Sequence, residues 1–209
     1  MRNLLVSALL VALVVPDEAE SHSRLFMRPT LRIVDIVEFR HLWKFEPLSS
    51  TAIMLDFDRN SSGSLDADER EHIAEAVRDG EFPFTAETRL VQSGRIVTLS
   101  RPSGIRVALV GKELAISFSV RPRSAIRAAG HLAIWIDDAK QNIVFDIRED
   151  GFKTSGDVFA QCSQEVVRPS AVSSSSRNQV MATEMFFSDP QDGSRPALTS
   201  TRLEVDCPK

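Results

Sequence analysis

In "ELAISFSV", Leu114, Ile116, Phe118 and Val120 alternate with Ala115, Ser117 and Ser119. Successive side chains of a strand point to opposite faces, so this octet predicts a strand with one face buried and one polar. It is one of a series. "RIVTLS", "GIRVALV", "HLAIWID" and "NIVFDI" are short β-rich segments separated by turn residues, and two further strands are predicted at Val158–Val167 and Arg202–Cys207. Residues 30–45, "TLRIVDIVEFRHLWKF", extend the series toward the N-terminus. There Leu31, Ile33, Val37, Phe39, Trp43 and Phe45 form the stronger face, with Val34, Ile36 and Leu42 on the other. Asp35 interrupts the pattern and marks a bend or tight turn. His41 falls on the stronger face, where it reads as a core-edge histidine with a satisfied hydrogen bond. So many short strands point to antiparallel sheets packed as a sandwich.

The period changes between Pro47 and Asp79. "PLSSTAIMLDF" and "DADEREHIAEAV" read as two short helices, making the fold α+β, mainly β, with an inserted helix–loop–helix at about residues 47–79. Between the last two predicted strands, "PSAVSSSSRNQ" reads as a Ser-rich linker, and "MATEMFFSDP" beyond it as a helical turn.

The chain of 209 residues is long enough for one domain with a sizeable core. Its start reads differently. "MRNLLVSALLVALVV" is a basic residue followed by an apolar run of about twelve residues, whereas a bilayer-spanning helix needs roughly 20. Ala19 and Ser21 stand three and one positions before His22, the spacing of a secretory leader cut after residue 21. Residues 1–21 are thus expected to be a signal peptide and 22–209 a single β-rich domain, periplasmic or secreted, with no later membrane span. The formal charge is −4, and the leader carries Arg2 against Asp17, Glu18 and Glu20, a net of −2, which leaves −2 for the remainder. Neither that balance nor any basic stripe with interleaved aromatics suggests nucleic acid. Cys162 and Cys207 are an even pair outside any metal-ligand spacing, so an exported chain should join them as a disulfide. Closing a loop of about 45 residues would contribute roughly 4 kcal/mol.

The residues between the two helices carry the clearest chemistry. "DRNSSGSLDADE", Asp58 to Glu69, has the ligand spacing of an EF-hand, which uses positions 1, 3, 5, 7, 9 and 12 with glycine at 6. Those positions are Asp58, Asn60, Ser62, Ser64 through its carbonyl, Asp66 and Glu69, with Gly63 at the turn and Leu65 at the apolar eighth place. A register from Asp56 fails, because Ser61 would replace the glycine and Ala67 the closing carboxylate. Every donor is a hard oxygen, which selects Ca²⁺, and only three are carboxylates, which predicts weak binding of about 10⁻⁵ to 10⁻³ M. Ile53, Met54 and Phe57 before the loop, and Ile73, Ala74 and Val77 after it, should bury one face of each helix. "DIREDGFKTSGD", Asp146 to Asp157, imitates the spacing, but Arg148 and Lys153 occupy key places, so it reads as a strand end and turn. His22, beside a free amine after cleavage, is a second and weaker metal candidate, for copper or zinc. No nucleophile elbow, phosphate loop or H-E-x-x-H is present, and a non-enzymatic protein is expected.

These pieces, in order, resemble a bacterial periplasmic family, domain of unknown function 1007. The resemblance rests on "WKFEP" at Trp43–Pro47, the acidic loop from Asp58, "IVFDI" at Ile143–Ile147, "CSQEVVRP" at Cys162–Pro169 and "VDCP" at Val205–Pro208. It covers nearly all of residues 22–208. The family is described as the periplasmic component of an uncharacterised ABC-type transport system, which implies a membrane transporter as partner. Its members neighbour nickel, cobalt or zinc transport genes, so the resemblance also implies an alternative, a transition-metal-binding component in which the hand is structural. The family's opening His-x-His is reduced here to His22-Ser23-Arg24, and the chain has no tyrosine where the family is Tyr-rich.

Overall fold

A computed structural model describes residues 24–81, 83–139, 143–148, 150–168 and 201–208. The proposed leader, His22, the Ser-rich linker and "MATEMFFSDP" lie outside these residues. Two sheets share one hydrophobic core. The first follows the order β5 (Ser103–Val110), β6 (Glu113–Val120), β2 (Glu38–Phe45), β1 (Leu25–Val34), with β8 (Ile143–Phe145) and β9 (Phe152–Ser155) both on the outer edge of β1. The second follows β10 (Ser163–Val167), β11 (Arg202–Cys207), β7 (Gly130–Asp137), β3 (Glu87–Gln92), β4 (Arg95–Ile96). The mainly β, two-sheet architecture is as expected. One departure is that β1 pairs in parallel with β8 and β9, so the first sheet is mixed.

Period-two alternation explains the core. Leu25, Met27, Leu31 and Ile33 face inward from β1, and Phe39, His41, Trp43 and Phe45 do so from β2. Leu132, Ile134 and Ile136 of β7 and Leu203 and Val205 of β11 meet them from the second sheet. The alternation breaks at the hairpin. Asp35 and Ile36 have φ of 48° and 59°, a left-handed pair that turns the chain within two residues. The alternation lapses only at the turn: Ile36 is buried at 1% exposure and Val37 stands out at 54%, while odd-numbered residues face the core on both strands. The expectation for those two residues is therefore reversed. A β-branched residue at positive φ is strained, and burial of the Ile36 side chain in the core offsets that cost.

Other boundaries shift for similarly local reasons. "RIVTLS" supplies only the two-residue β4, after which Leu99 makes an isolated bridge to Pro122. Val158 begins no strand, because Asp157–Phe159 form a turn of 3₁₀ helix and β10 starts at Ser163. Cys162 and Cys207 are joined as a disulfide with Cα atoms 4.3 Å apart, tying β11 to the segment before β10. "DIREDGFKTSGD" is a strand end and turn: Asp146 pairs with Arg28 at 3.1 Å, and Phe152–Ser155 form β9. Among the described residues no helix is long and apolar enough to cross a membrane.

The helices, α1 (Pro47–Phe57) and α2 (Ala67–Asp79), lie where the period change placed them. α2 packs against β5, and α1 against β6 and β1. Two buried serines fix the start of α1. Ser49 Oγ accepts the Phe26 amide at 2.8 Å, while Ser50 Oγ accepts the Leu114 amide at 2.8 Å and donates to the Phe45 carbonyl at 3.0 Å. These bonds pin the helical unit to β1, β2 and β6 at its base.

Candidate functional site

The loop from Asp58 to Glu69 begins where α1 ends and closes in the first turn of α2. Gly63 has φ of 75°, a left-handed conformation that glycine adopts without a Cβ penalty. Leu65 is buried at 6% exposure and joins Ile53, Ile73 and Val77 in the main core. Met54 and Phe57 pack partly buried against the same core, and Ala74 is buried, so each expected apolar face is in place. The hand's inner face is thus covered by the sandwich itself.

Side chains organise the loop from within. Asp58 accepts from the Ser62 amide at 3.0 Å through Oδ1 and from the Gly63 amide at 2.8 Å through Oδ2. Asn60 Oδ1 also accepts from Ser62, at 2.9 Å, and Asn60 Nδ2 donates to Asp66 Oδ2 at 3.2 Å. Ser62 Oγ donates to the Ser64 carbonyl at 3.0 Å. Five of the six predicted positions therefore form one connected cluster on the exposed side of the loop.

Glu69, the sixth, is buried at 3% exposure and plays a role that the metal-ligand spacing alone did not reveal. Oε1 accepts from the Arg59 amide at 2.9 Å, and Oε2 from the Asp66 amide at 2.9 Å. In return Asp66 Oδ1 accepts from the Glu69 amide at 3.0 Å, which completes a capping box at the start of α2. Arg70 adds a bond from Nη1 to the Leu65 carbonyl. One carboxylate thus ties the end of α1 to the start of α2. The signal was present as Asp66-x-x-Glu69, the sequence form of a capping box.

Among the described residues no three acid, histidine or cysteine side chains converge as a metal cluster. The donor chemistry nevertheless fits a hard cation. Asp58, Asn60, Ser62, the Ser64 carbonyl and Asp66 offer only oxygen, except for the Asn60 amide nitrogen, which the side chain can turn away. Glu69 oxygens carry lone pairs beyond those used by the backbone amides. His72 on α2 is taken by Arg59 Nη2 at 2.7 Å and by Glu75 at 3.6 Å.

His41 is the other sequence-selected residue, and its position differs from expectation. It is buried at 3% exposure in the middle of the sandwich, stacked on Phe118 with ring centroids 4.5 Å apart. Nε2 bonds to Thr88 Oγ1 at 2.7 Å, whereas Nδ1 has no hydrogen-bond partner among the described residues. Burial pushes its pKa down to about 3, so the ring is neutral at ordinary pH. It is a core histidine and only half satisfied.

The family model described as "Protein of unknown function (DUF1007)" matches residues 5–207. No curated protein and no solved structure matches the chain.

Proposed function

The chain belongs to the DUF1007 family, and from that premise we propose that it is a non-enzymatic calcium-binding protein of the periplasm, accessory to a transport system. The observation that carries this reading is the loop itself. A twelve-position oxygen-donor pattern sits between two helices, with glycine in a left-handed turn and the eighth-position leucine in the core. Calcium would take Asp58, Asn60, Ser62, the Ser64 carbonyl, Asp66 and Glu69, supplying charge neutralisation and a cross-link between α1 and α2.

The hand's role is structural and not that of a sensor. A sensor EF-hand opens to expose an apolar groove. Here Ile53, Ile73 and Val77 are already packed into the sandwich core, so opening would cost the whole of that burial. The periplasmic setting is supported by the leader-like start and by a disulfide of the kind that persists in oxidising compartments. The transport link rests on the family resemblance.

Calorimetric titration of metal-stripped protein tests the reading. Saturable heat with calcium, at one site per chain, is the expected result. Heat with copper, zinc or nickel and none with calcium would overturn it in favour of a transition-metal component.

A further inference from the structure

We propose that a cleft between the two sheets, beside the C-terminal end of α2, binds an amphipathic organic anion: an apolar body carrying a single acidic head group. The cleft encloses about 430 Å³, within the usual size of small-molecule sites. Its floor is apolar, made by Leu90, Phe118 and Val120, all buried, with Val97 and Leu99 half-buried beside them. Thr88 and Phe118 line it as well, and these residues hold His41 from behind, which makes the back wall part of the packed core.

Charge is concentrated at the mouth. Arg78, Arg89, Arg101 and Arg123 line the cleft against only two acids, Asp79 and Glu87. Residues 95–127, which supply much of it, hold seven lysines and arginines and one acid, Glu113, in a chain whose formal charge is −4. This segregation attracts anions to one place on an otherwise acidic protein. Arg101 is taken by Asp79 at 2.9 Å and Arg78 by Glu71 at 3.5 Å. Arg89 reaches Glu87 at 3.3 Å, but its buried Nε lies 3.6 Å from Asp137, too far for a hydrogen bond, and has no other partner among the described residues.

Arg123 differs from the other three. It pairs with no acid among the described residues, and its Nε donates only to the Leu99 carbonyl at 3.3 Å. The remaining N–H groups of a planar fork are therefore available for a carboxylate or similar head group in the same cleft as the apolar floor. A fully polar anion would leave that floor unfilled, and a neutral lipid would leave Arg123 without a counter-charge. The ligand class follows from the two together.

The test uses anilinonaphthalene sulfonate as a fluorescent probe on the full-length chain, with decanoate, decanol and acetate as competitors. Saturable probe binding, displaced by decanoate but not by decanol or acetate, is expected. Arg123→Glu should weaken decanoate by about tenfold or more, because it removes the charge-assisted hydrogen bonds and sets a carboxylate against the head group. Arg123→Lys, which keeps the charge without the planar fork, should fall between wild type and Arg123→Glu. Arg123 is exposed, so neither variant threatens folding, and circular dichroism verifies that. The proposal is overturned if the probe does not saturate, if decanol competes as well as decanoate, or if Arg123→Glu binds decanoate like the wild type.

Discussion

His41 Nε2 lies 2.7 Å from Thr88 Oγ1, a hydrogen bond that joins the first sheet to the second across the core. The ring is neutral because burial lowers its pKa to about 3, whereas an unfolded histidine titrates near 6.5. The unfolded chain therefore binds the extra proton between those values. This contribution to stability is fully present above about pH 6.5 and is lost as pH falls toward 3, with a slope of up to about 1.4 kcal/mol per pH unit. Glu38, held below its ordinary pKa by its hydrogen bond to Arg40 and further by Arg121, adds loss at the acid end as pH falls below about 4.5. Urea unfolding from pH 7 to 4 should show the decline, and the double variant His41→Phe/Thr88→Val should flatten it. A decline of equal steepness in the double variant would show that other groups cause it.

Calcium should raise the melting temperature. For a dissociation constant of about 10⁻⁴ M, 1 mM calcium stabilises the native state by roughly 1.4 kcal/mol. That corresponds to a shift of roughly 3–6 °C for a domain of this size. Magnesium should do less, since its octahedral geometry suits a seven-ligand loop poorly. Differential scanning calorimetry with and without each ion checks both statements, and no shift at 10 mM calcium would leave the loop as a turn only.

Glu69→Gln should act twice. It should abolish the calcium shift, and it should also destabilise calcium-free protein by roughly 1–2 kcal/mol, because an amide cannot accept the Arg59 and Asp66 amides through both ends. Asp58→Ala should also abolish the shift, releasing the Ser62 and Gly63 amides on the exposed side of the loop at a smaller cost. Melting of the three proteins in chelator and in calcium separates the two contributions.

Gly63→Ala isolates the turn. Nothing lies within 4 Å of where the new Cβ would sit, so no contact opposes the substitution. Its φ of 75° nevertheless costs an alanine roughly 1–2 kcal/mol. Chemical denaturation in chelator should show that loss, and a neutral result would mean that the loop relaxes to another conformation.

The helix–loop–helix was legible because its information is local: donor spacing, one glycine and two apolar faces within about thirty residues. Ile36 and Val37 depart from the pattern because period-two alternation lapses within the two-residue left-handed turn and resumes on the same parity at Phe39, and Asp-Ile is not the Asn-Gly pair that announces such a turn. "ETRLVQ" does not announce itself as β3 because Glu87 and Arg89 interrupt its apolar pattern. Their partners, Asp137 and Trp135 of β7, are visible only once the strands are paired. "FKTS" became a strand through pairing with Leu31–Val34, a non-local contact to which alternation is blind. Leu90, Phe118 and Arg123 come from separate segments, and no motif links them.

Replacing both cysteines by serine should lower stability by roughly 2–4 kcal/mol, since the cross-link closes a 45-residue separation. Denaturant midpoints of the double variant and of reduced wild type should agree with each other. A double variant as stable as the oxidised protein would remove the bond from the account of stability.

The parallel pairing of β1 with β9 also has a temporal consequence. Leu31 is partnered on one side by His41, ten positions later, and on the other by Phe152, more than a hundred positions later. The first hairpin can form as soon as Phe45 is available, but one edge of β1 then stays open until residues 143–155 arrive. Such distant closure slows folding, and an open β edge invites pairing with other chains while it lasts. A chain that emerges N-terminus first therefore exposes the Leu25–Val34 edge until Ile143 and the residues after it have emerged.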